Sequence, residues 1–375
     1  MRPKEYRIKE LLREKGLDGA IVSSPENFHY VTGFGGHQHT VSRQPGFTLA
    51  VMRADDKVPT HLTTMDFEAA TFRIKAAGLN FVVDPYDTWV GLKTWDEIAH
   101  GAVVPDKTAM ESSMDKLVQF MKACDLANKK VGIELDYLPV PYYKSLTEKF
   151  PEAEFVNISD LFVYARSVKQ PDEIEMFRKL CRIADHGFTE VSKIAKIGVS
   201  ERELVQCFRE DVIKSGFCAP SSWSMFSTGP SSARLTLPGD GVVKDGDVVK
   251  FDAGVNAEFD FYTTDTSRAW IIGNGDPALL KLKDRLYEGQ RRMIAAAKPG
   301  LPINELYHTA YDYVKEMFPC YRRGHQGHSI SMGPATAEAP YINASETRPL
   351  EAGMILAMEV PCYIDGVNGF NIEDI

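Results

Sequence analysis

Two stretches of this sequence carry acidic residues where β-hairpins would bring them together. The first, GDVVKFDAGVNAEFDFYTTDTSRAWII, alternates apolar and polar residues on both sides of a turn near Asn256 to Asp260. We expect Asp252 to face Asp265 there, with the hairpin centred between Glu258 and Phe259. Directly opposed side chains on one face of a sheet lie about 5 Å apart at Cβ. Two carboxylates at that distance repel each other, so the pattern indicates a cation between them.

The second stretch, MILAMEVPCYIDGVNGFNIED, repeats this arrangement around an Asp-Gly turn. Glu359 and Glu373 each lie seven residues from Gly366, so a hairpin would place them opposite one another. Four carboxylates nearly neutralise two divalent cations. With His328 between the two hairpins in the sequence, the oxygen-rich set suits Mn²⁺, Co²⁺, Fe²⁺ or Zn²⁺ rather than a structural zinc.

A single acidic residue in a strand usually lies on a solvated face of the sheet. That is the favoured interpretation for Glu258, Asp260 and Asp374. The symmetry of the two hairpin pairs argues against a solvated position for Asp252, Asp265, Glu359 and Glu373.

The length of 375 residues and the 44% apolar content predict two domains. Residues 1–162 alternate helix and strand patterns, as an α/β domain does. A polar segment with a proline, RSVKQPDEIEM from Arg166 to Met176, then enters a helix with acidic residues near its start. Residues 163–375 predict an α+β domain with a mostly antiparallel sheet.

Composition excludes several classes of protein. The net charge of −9 argues against nucleic acid or an anionic membrane as the main partner. There is no signal-peptide pattern and no apolar run long enough to span a bilayer. Six cysteines without paired spacing are typical of reduced thiols in a cytoplasmic protein. No phosphate-binding loop, dinucleotide fingerprint or serine-hydrolase order is present.

Several motifs resemble those of one family. GHSIS at 327–331, FDAG followed by Tyr262-x-x-Asp265-x-x-Arg268, LEAGMILAMEVP, FNIED and the early SPENFHYVTGF are similar to motifs of the creatinase, prolidase, aminopeptidase P and methionine aminopeptidase family, M24. The resemblance covers almost the whole chain and is closest to Xaa-Pro dipeptidase. It implies a pita-bread catalytic domain preceded by a smaller creatinase N-terminal-like α/β domain, and a homodimer.

The resemblance also implies a site with two divalent metal ions, Mn²⁺ being favoured. Asp252 would hold one metal, and Asp265 and Glu373 would bridge both. His328 and Glu359 would complete the other position. The metals would activate a shared water for attack on an amide, with Glu359 as the proton acceptor.

The sequence departs from the family at two histidines that orient substrate and stabilise the tetrahedral intermediate. Leu235 or Thr236 stands at one position and Ala337 at the other. Loss of such a donor costs about 10²–10³ in rate. The spacing from Asp252 to Asp265 is also longer than in the family, and relatives continue past the position of Ile375, so a longer chain is one interpretation.

Four other residues are candidates for contact with substrate. His325 lies close to His328 in the sequence and is expected beside the crevice, in a catalytic or substrate-binding role. His37 and His39 follow the TGF motif, whose loop reaches the partner subunit's site in relatives; exposed loop histidines are the alternative. Arg268 is a further candidate, with a structural ion pair as its alternative.

Three functions are compatible with these features. The first is hydrolysis of Xaa-Pro dipeptides or related peptides. The second, suggested by the missing histidines, is a creatinase-like C–N hydrolase or lyase acting on a small non-peptide solute. The third is a non-catalytic peptide- or protein-binding member of the fold, and the retained ligand set argues against it.

Overall fold

The computed structural model describes residues 3–104, 111–258, 260–333 and 336–375. The chain divides into two compact units, Met1–Ala165 and Arg166–Ile375. Each has its own sheet and its own buried apolar cluster.

The first unit is built on a six-stranded mixed sheet in the order β4-β3-β2-β1-β5-β6. Its strands are β1 (Gly19–Val22), β2 (Leu49–Arg53), β3 (Thr60–Thr63), β4 (Phe81–Val83), β5 (Lys130–Ile133) and β6 (Glu154–Asn157). Its helices are α1 (Pro3–Glu14), α2 (Pro25–Thr32), α3 (Ala69–Ala76), α4 (Trp95–His100), α5 (Ser113–Ala123), α6 (Val140–Lys149) and α7 (Ser159–Ser167), the last extending two residues past the division.

The central strands of this sheet are buried on both faces. Every residue of β1 and β2 is buried, as their continuous apolar runs require. Leu117, Phe120 and Met121 of α5 lie in the same apolar cluster as residues of these strands. The alternation of helix and strand predicted for this part of the chain is confirmed, although α2, β3, α4 and α7 had no counterpart in the prediction.

The second unit is built on a seven-stranded antiparallel sheet in the order β13-β12-β14-β17-β11-β9-β8. Its strands and those of two small ribbons are β7 (Cys218–Pro220), β8 (Met225–Thr228), β9 (Val248–Ala253), β10 (Val255–Ala257), β11 (Thr266–Ile271), β12 (Gly327–Ser329), β13 (Glu338–Tyr341), β14 (Leu356–Glu359), β15 (Cys362–Ile364), β16 (Asn368–Phe370) and β17 (Glu373–Asp374). The predicted antiparallel sheet is confirmed.

Two helices precede the strands in each half of this unit. The first pair is α8 (Pro171–Ile194) and α9 (Glu201–Lys214), and the second is α10 (Pro277–Ala296) and α11 (Ile303–Met317). Pro171 occupies the first turn of α8. The predicted capping box opens α9: Glu203 N–H donates to Ser200 Oγ, and Ser200 N–H donates back to the Glu203 carboxylate.

One of the two predicted hairpins has a strand register that differs from the prediction. Glu359 pairs with Glu373, as predicted. Asp252, however, pairs with Ser267 rather than with Asp265, so that prediction was wrong. The reason is the turn, which closes where Ala257 N–H donates to the carbonyl of Tyr262. The predicted centre lay between Glu258 and Phe259, and Phe259 lies outside the described residues.

This displacement of two residues keeps Asp265 on the predicted face of the sheet. Side chains alternate between faces with a period of two, so an even shift preserves the face that each residue occupies. Asp265 therefore lies diagonally across from Asp252 instead of directly opposite, within reach of the same space.

Among the described residues, no helix combines the length and the apolar content that a membrane-spanning segment requires.

We expect Leu286→Ala to destabilise the second unit by about 2–5 kcal/mol, because it opens a cavity in the cluster between α10, α11 and the sheet. Leu286 has no exposed surface, whereas Leu280 on the same helix is 40% exposed. Leu280→Ala is the matched control and should change stability by less than about 0.5 kcal/mol. Urea unfolding of both variants measures the difference, and equal losses would contradict this assignment of the core.

Candidate metal centre

Five neighbouring strands of the second sheet each place one predicted ligand in a common buried space. The strands β12, β14, β17, β11 and β9 follow one another across the sheet. They contribute, in that order, His328, Glu359, Glu373, Asp265 and Asp252. Asp265 is the residue immediately before β11. Each of these residues is at most 7% exposed. The structure therefore brings together residues that are up to 121 positions apart in the sequence.

A glycine allows the approach of His328. Gly327 has φ of 130°, and a Cβ atom there would lie 2.0 Å from the carbonyl oxygen of Ala357 on β14. Only glycine fits this close contact between the two strands. It lets β12 pair with β14 immediately beside the imidazole.

Three of the ligands converge most closely. Donor atoms of Asp265, His328 and Glu373 all lie within 4.8 Å of one another. His328 Nε2 is 3.6 Å from Asp265 Oδ2 and 4.0 Å from Glu373 Oε1. Atoms that share one metal at bond lengths of about 2.1 Å lie roughly 3–3.5 Å apart, so small side-chain movements suffice to close this set around an ion.

Asp252 is tied to this group through an amide. Asn371 Nδ2 donates to Asp252 Oδ2 at 3.2 Å and to Glu373 Oε2 at 3.1 Å. Sequence reasoning missed Asn371, although its position two residues before Glu373 places it on the same face of the chain.

Two residues that precede His328 in the sequence lie against the carboxylate of Glu359. Arg323 Nη2 donates to Glu359 Oε1 at 2.7 Å, and His325 Nδ1 lies 3.3 Å from the same oxygen. Arg323 Nε also donates to the carbonyl of His325, which fixes the loop. Arg323 was not predicted, and its closeness to GHSIS was the signal that could have identified it.

A buried lysine completes the surroundings. Lys250 has no exposed surface and lies two residues before Asp252, on the same face of β9. Its Nζ donates to the carbonyl of Arg234 at 3.2 Å and lies 4.8 Å from the ring centre of Tyr363. Burial lowers the pKa of Lys250, and the charge of Asp252 opposes that shift.

The carboxylates resist ionisation in this space. Burial raises the pKa of Asp252 to about 7, and the charge of Asp265 adds to the shift. Burial also raises the pKa of Asp265 and, more strongly, that of Glu373. Burial alone would lower the pKa of His328, but its hydrogen bond to Asp265 raises it overall. A cation would relieve this repulsion.

The donor set fits a divalent metal. Asp265 Oδ1 is buried and has no hydrogen-bond partner among the described residues, although buried carboxylate oxygens are normally paired. Four carboxylates and one imidazole are ligands that suit Mn²⁺ and similar ions. Asp252, Asp265, His328, Glu359 and Glu373 would hold the metal.

The positions of the missing histidines supply no imidazole. Leu235 is 67% exposed, and Thr236 beside it is also exposed. Ala337 is partly buried and offers only a methyl group. His325 is nearer the ligands: its ring centre lies 6.4 Å from that of His328 and 5.8 Å from that of Tyr341.

The remaining predicted contacts lie elsewhere. His39 is fully buried in the first unit, where its Nε2 lies 2.8 Å from the carbonyl of Ser23, and burial lowers its pKa to about 4. His37 is exposed. Arg268 forms an ion pair with Asp374 at 2.6 Å, the geometry of a structural role. Substrate roles for these three residues stay predictions.

Comparison with known proteins shows which family models the two parts of the chain match. Residues 175–375 match metallopeptidase family M24, and residues 6–168 match the creatinase/prolidase N-terminal domain. The uncharacterized peptidase SAS1635 of Staphylococcus aureus (strain MSSA476) is 29% identical, over 98% of this chain and 94% of that protein.

Solved structures share the fold. An Xaa-Pro dipeptidase from Bacillus anthracis has a TM-score of 0.80 at 24% identity, covering 99% of this chain and 93% of that one. The prolidase from Pyrococcus horikoshii OT3 has a TM-score of 0.76 at 21% identity, covering 100% and 94%. The predicted pita-bread architecture with its N-terminal α/β domain is confirmed.

Fold and sequence together define a two-domain peptidase. The chain belongs to metallopeptidase family M24, since the matched region exceeds half of its length. Membership implies the use of divalent metal, and the resemblance drawn from the motifs is confirmed.

The pKa of Asp252 predicts how the metal-free protein responds to pH. The folded carboxyl, with its pKa of about 7, binds a proton more tightly than in the unfolded chain, where the value is about 3.9. The folded state therefore holds more protons between these values, and stability should fall as pH rises through that window. In the presence of a chelator, Tm should be lower at pH 8 than at pH 5.

Asp252→Asn should reduce that difference in Tm, because the amide does not titrate. The exposed Asp284→Asn on α10 is the control and should keep the wild-type response. An unchanged response in Asp252→Asn would contradict the assignment.

Proposed function

We propose that this peptidase is a metal-dependent hydrolase of amide bonds of the Xaa-Pro dipeptidase or aminopeptidase type, with two divalent metal ions. The observation that carries the proposal is the meeting of all five ligand side chains on five adjacent strands. Asp265 and Glu373 are central in this arrangement and suit shared ligands. Mn²⁺ is favoured, with Co²⁺, Zn²⁺ and Fe²⁺ as alternatives.

Bound metal would supply a water of lowered pKa and would polarise the carbonyl of the scissile amide. The chain's own contribution begins with Glu359, which accepts the proton of the attacking water. Arg323 holds one oxygen of Glu359 at 2.7 Å and so fixes the direction of the carboxylate. The other oxygen and the second lone pair of Oε1 remain for the reaction.

His325 provides a second proton site beside Glu359. Burial lowers the pKa of His325, so the ring is neutral near pH 7 and able to accept a proton. Its Nδ1 lies 3.3 Å from Glu359 Oε1, within reach for transfer with a small movement. A proton can pass from Glu359 to His325 and from there to the leaving amine.

The substrate class has two candidates. Xaa-Pro dipeptides are favoured because the fold is shared with proteins named Xaa-Pro dipeptidase and prolidase. A small non-peptide amide or amidine is favoured by the absence of imidazoles at Leu235, Thr236 and Ala337. The retained ligands argue against a purely binding role. We further propose a homodimer in the cytoplasm, in line with the resemblance and with six unpaired cysteines.

Asp265→Asn should abolish both metal binding and turnover, because it removes a central ligand. Metal content by mass spectrometry and hydrolysis of Xaa-Pro dipeptides, small amidines and ureas are measured on the same samples, with and without Mn²⁺. Asp284→Asn should behave as wild type.

The outcomes of this experiment separate the candidate substrates. Cleavage of Xaa-Pro dipeptides supports the dipeptidase. Bound metal with turnover of only amidines or ureas supports the second candidate. A wild-type protein that binds no metal would refute the proposed function.

His325→Ala should lower kcat by about 10²–10⁴ while leaving metal content unchanged, because the ring moves a proton but is not a ligand. His308→Ala on α11 is the control, since that ring is exposed. Metal loss in His325→Ala, or unchanged kcat, would show that the ring has a different role.

A further inference from the structure

The segment that follows the edge strand of the first sheet exposes much apolar surface. Strand β4 lies at one edge of that sheet, and residues 89–104 come shortly after it in the chain. Six large apolar side chains of this segment, which we call the apolar strip, are between 59% and 93% exposed: Trp89, Leu92, Trp95, Ile98, Val103 and Val104. Tryptophan is highly buried on average, so two exposed tryptophans in one short segment point to a surface that another molecule covers.

The local sequence specifies a helix within this strip. The backbone N–H of Glu97 donates to Thr94 Oγ1, and the N–H of Thr94 donates to the Glu97 carboxylate, which forms a capping box. Gly101 ends α4 in the left-handed conformation, with φ of 65°. The segment itself therefore defines both ends of α4.

Helix α4 has no surface to pack on within its own chain. None of its six residues is buried in the described structure. Trp95 and Ile98 lie three residues apart and so share a face of the helix, and they are 78% and 67% exposed. Isolated helices shorter than about 12–15 residues are marginal in water, so α4 needs a second surface against which to bury this face.

The polar side chains of the segment do not provide that surface with a charged ligand. His100 Nδ1 lies 2.7 Å from Asp96 Oδ1, and Glu97 is engaged in the cap. Asp87, Asp96 and Glu97 outnumber Lys93, so the segment is acidic and attracts neither nucleic acid nor an anionic membrane. Recognition is left to the apolar strip, and an uncharged apolar surface is what the centre of a protein–protein interface presents.

The exposed area of the strip fits a symmetric dimer. A buried aromatic side chain covers about 150–250 Å², so the exposed parts of the two tryptophans amount to roughly 300 Å². The four aliphatic side chains add roughly 250 Å², on a scale of about 60–120 Å² for each one fully buried. Two strips facing each other would thus bury about 1,000 Å², the size at which specific interfaces begin.

We propose that the apolar strip is a dimer interface, in which residues 89–104 of one copy pack against the same residues of a second copy. A second copy presents an uncharged apolar surface of equal size, and a two-fold axis through the strip closes the pair without recruiting a third copy. This inference rests on the homodimer of the proposed function and names its surface. It does not depend on metal or on turnover.

Ile98→Asp tests the inference, because it places a charge in the middle of the strip. Ile98 is mostly exposed in the single subunit, so the variant should fold as wild type does. Wild type should be a dimer at micromolar concentration in sedimentation velocity. Ile98→Asp should raise the dissociation constant of the dimer by at least about tenfold, because burial of an unpaired carboxylate is costly. Ile213→Asp on α9 is the matched control, since Ile213 is 62% exposed and lies outside the strip.

Tryptophan fluorescence gives a second readout. Trp89 and Trp95 leave water when the dimer forms, so the emission should shift to shorter wavelength as wild type is concentrated. Ile98→Asp should lack the shift over the same range, and Ile213→Asp should keep it. Should Ile98→Asp fail to fold by circular dichroism, Trp95→Ser removes a side chain from the same face and decides the question in sedimentation velocity.

The possible results separate this inference from the proposed hydrolase. A wild type that stays monomeric throughout the dilution series would overturn the inference, whether or not the monomer sediments with vesicles of phosphatidylcholine. A dimer with the same dissociation constant in Ile98→Asp and Ile213→Asp would overturn it too, because another surface would then hold the subunits together. A dimer that is lost in Ile98→Asp but binds no metal in wild type would refute the hydrolase and leave the interface standing.

Discussion

Mutual repulsion of four carboxylates in one buried space is the constraint on which the second unit depends. Asp252, Asp265, Glu359 and Glu373 are each at most 7% exposed, and desolvation of so many like charges is costly without a counter-charge. The sheet can tolerate them because the imidazole of His328 and the chain's own cations lie nearby, and a divalent metal would add further positive charge. Apolar packing stabilises the sheet, while charge balance limits the ionisable side chains that it can bury.

The pattern of alternation was enough to predict the pairing of Glu359 with Glu373 and the common face of Asp252 and Asp265. The Asp-Gly turn at 365–366 set the register of Glu359 against Glu373, since a short turn leaves little freedom. The longer turn before Asp265 had no such signal, and the register there was two residues away from the prediction. The even size of the error preserved the face, so Asp252 and Asp265 share one face of the sheet despite the incorrect pairing.

Features that depend on tertiary placement were not predictable from the sequence. Lys250 looks like an ordinary basic residue until the sheet buries it, and Arg323 had only its closeness to GHSIS as a signal. His39 follows the TGF motif yet is completely buried, which a local pattern does not show. Helix α4 was missed because none of its residues is buried, so it has no apolar periodicity that sequence inspection detects.

The order of strands through the site has a consequence for insertions and deletions. One predicted ligand comes from each of five adjacent strands, so the hydrogen-bond ladders fix the spacing of the predicted donor atoms. Adding or removing one residue within β9, β14 or β17 would turn every later side chain of that strand to the opposite face. The turns at 257–262 and 364–368 lie outside these ladders. Natural length variation should therefore concentrate in those turns and be absent from the strands.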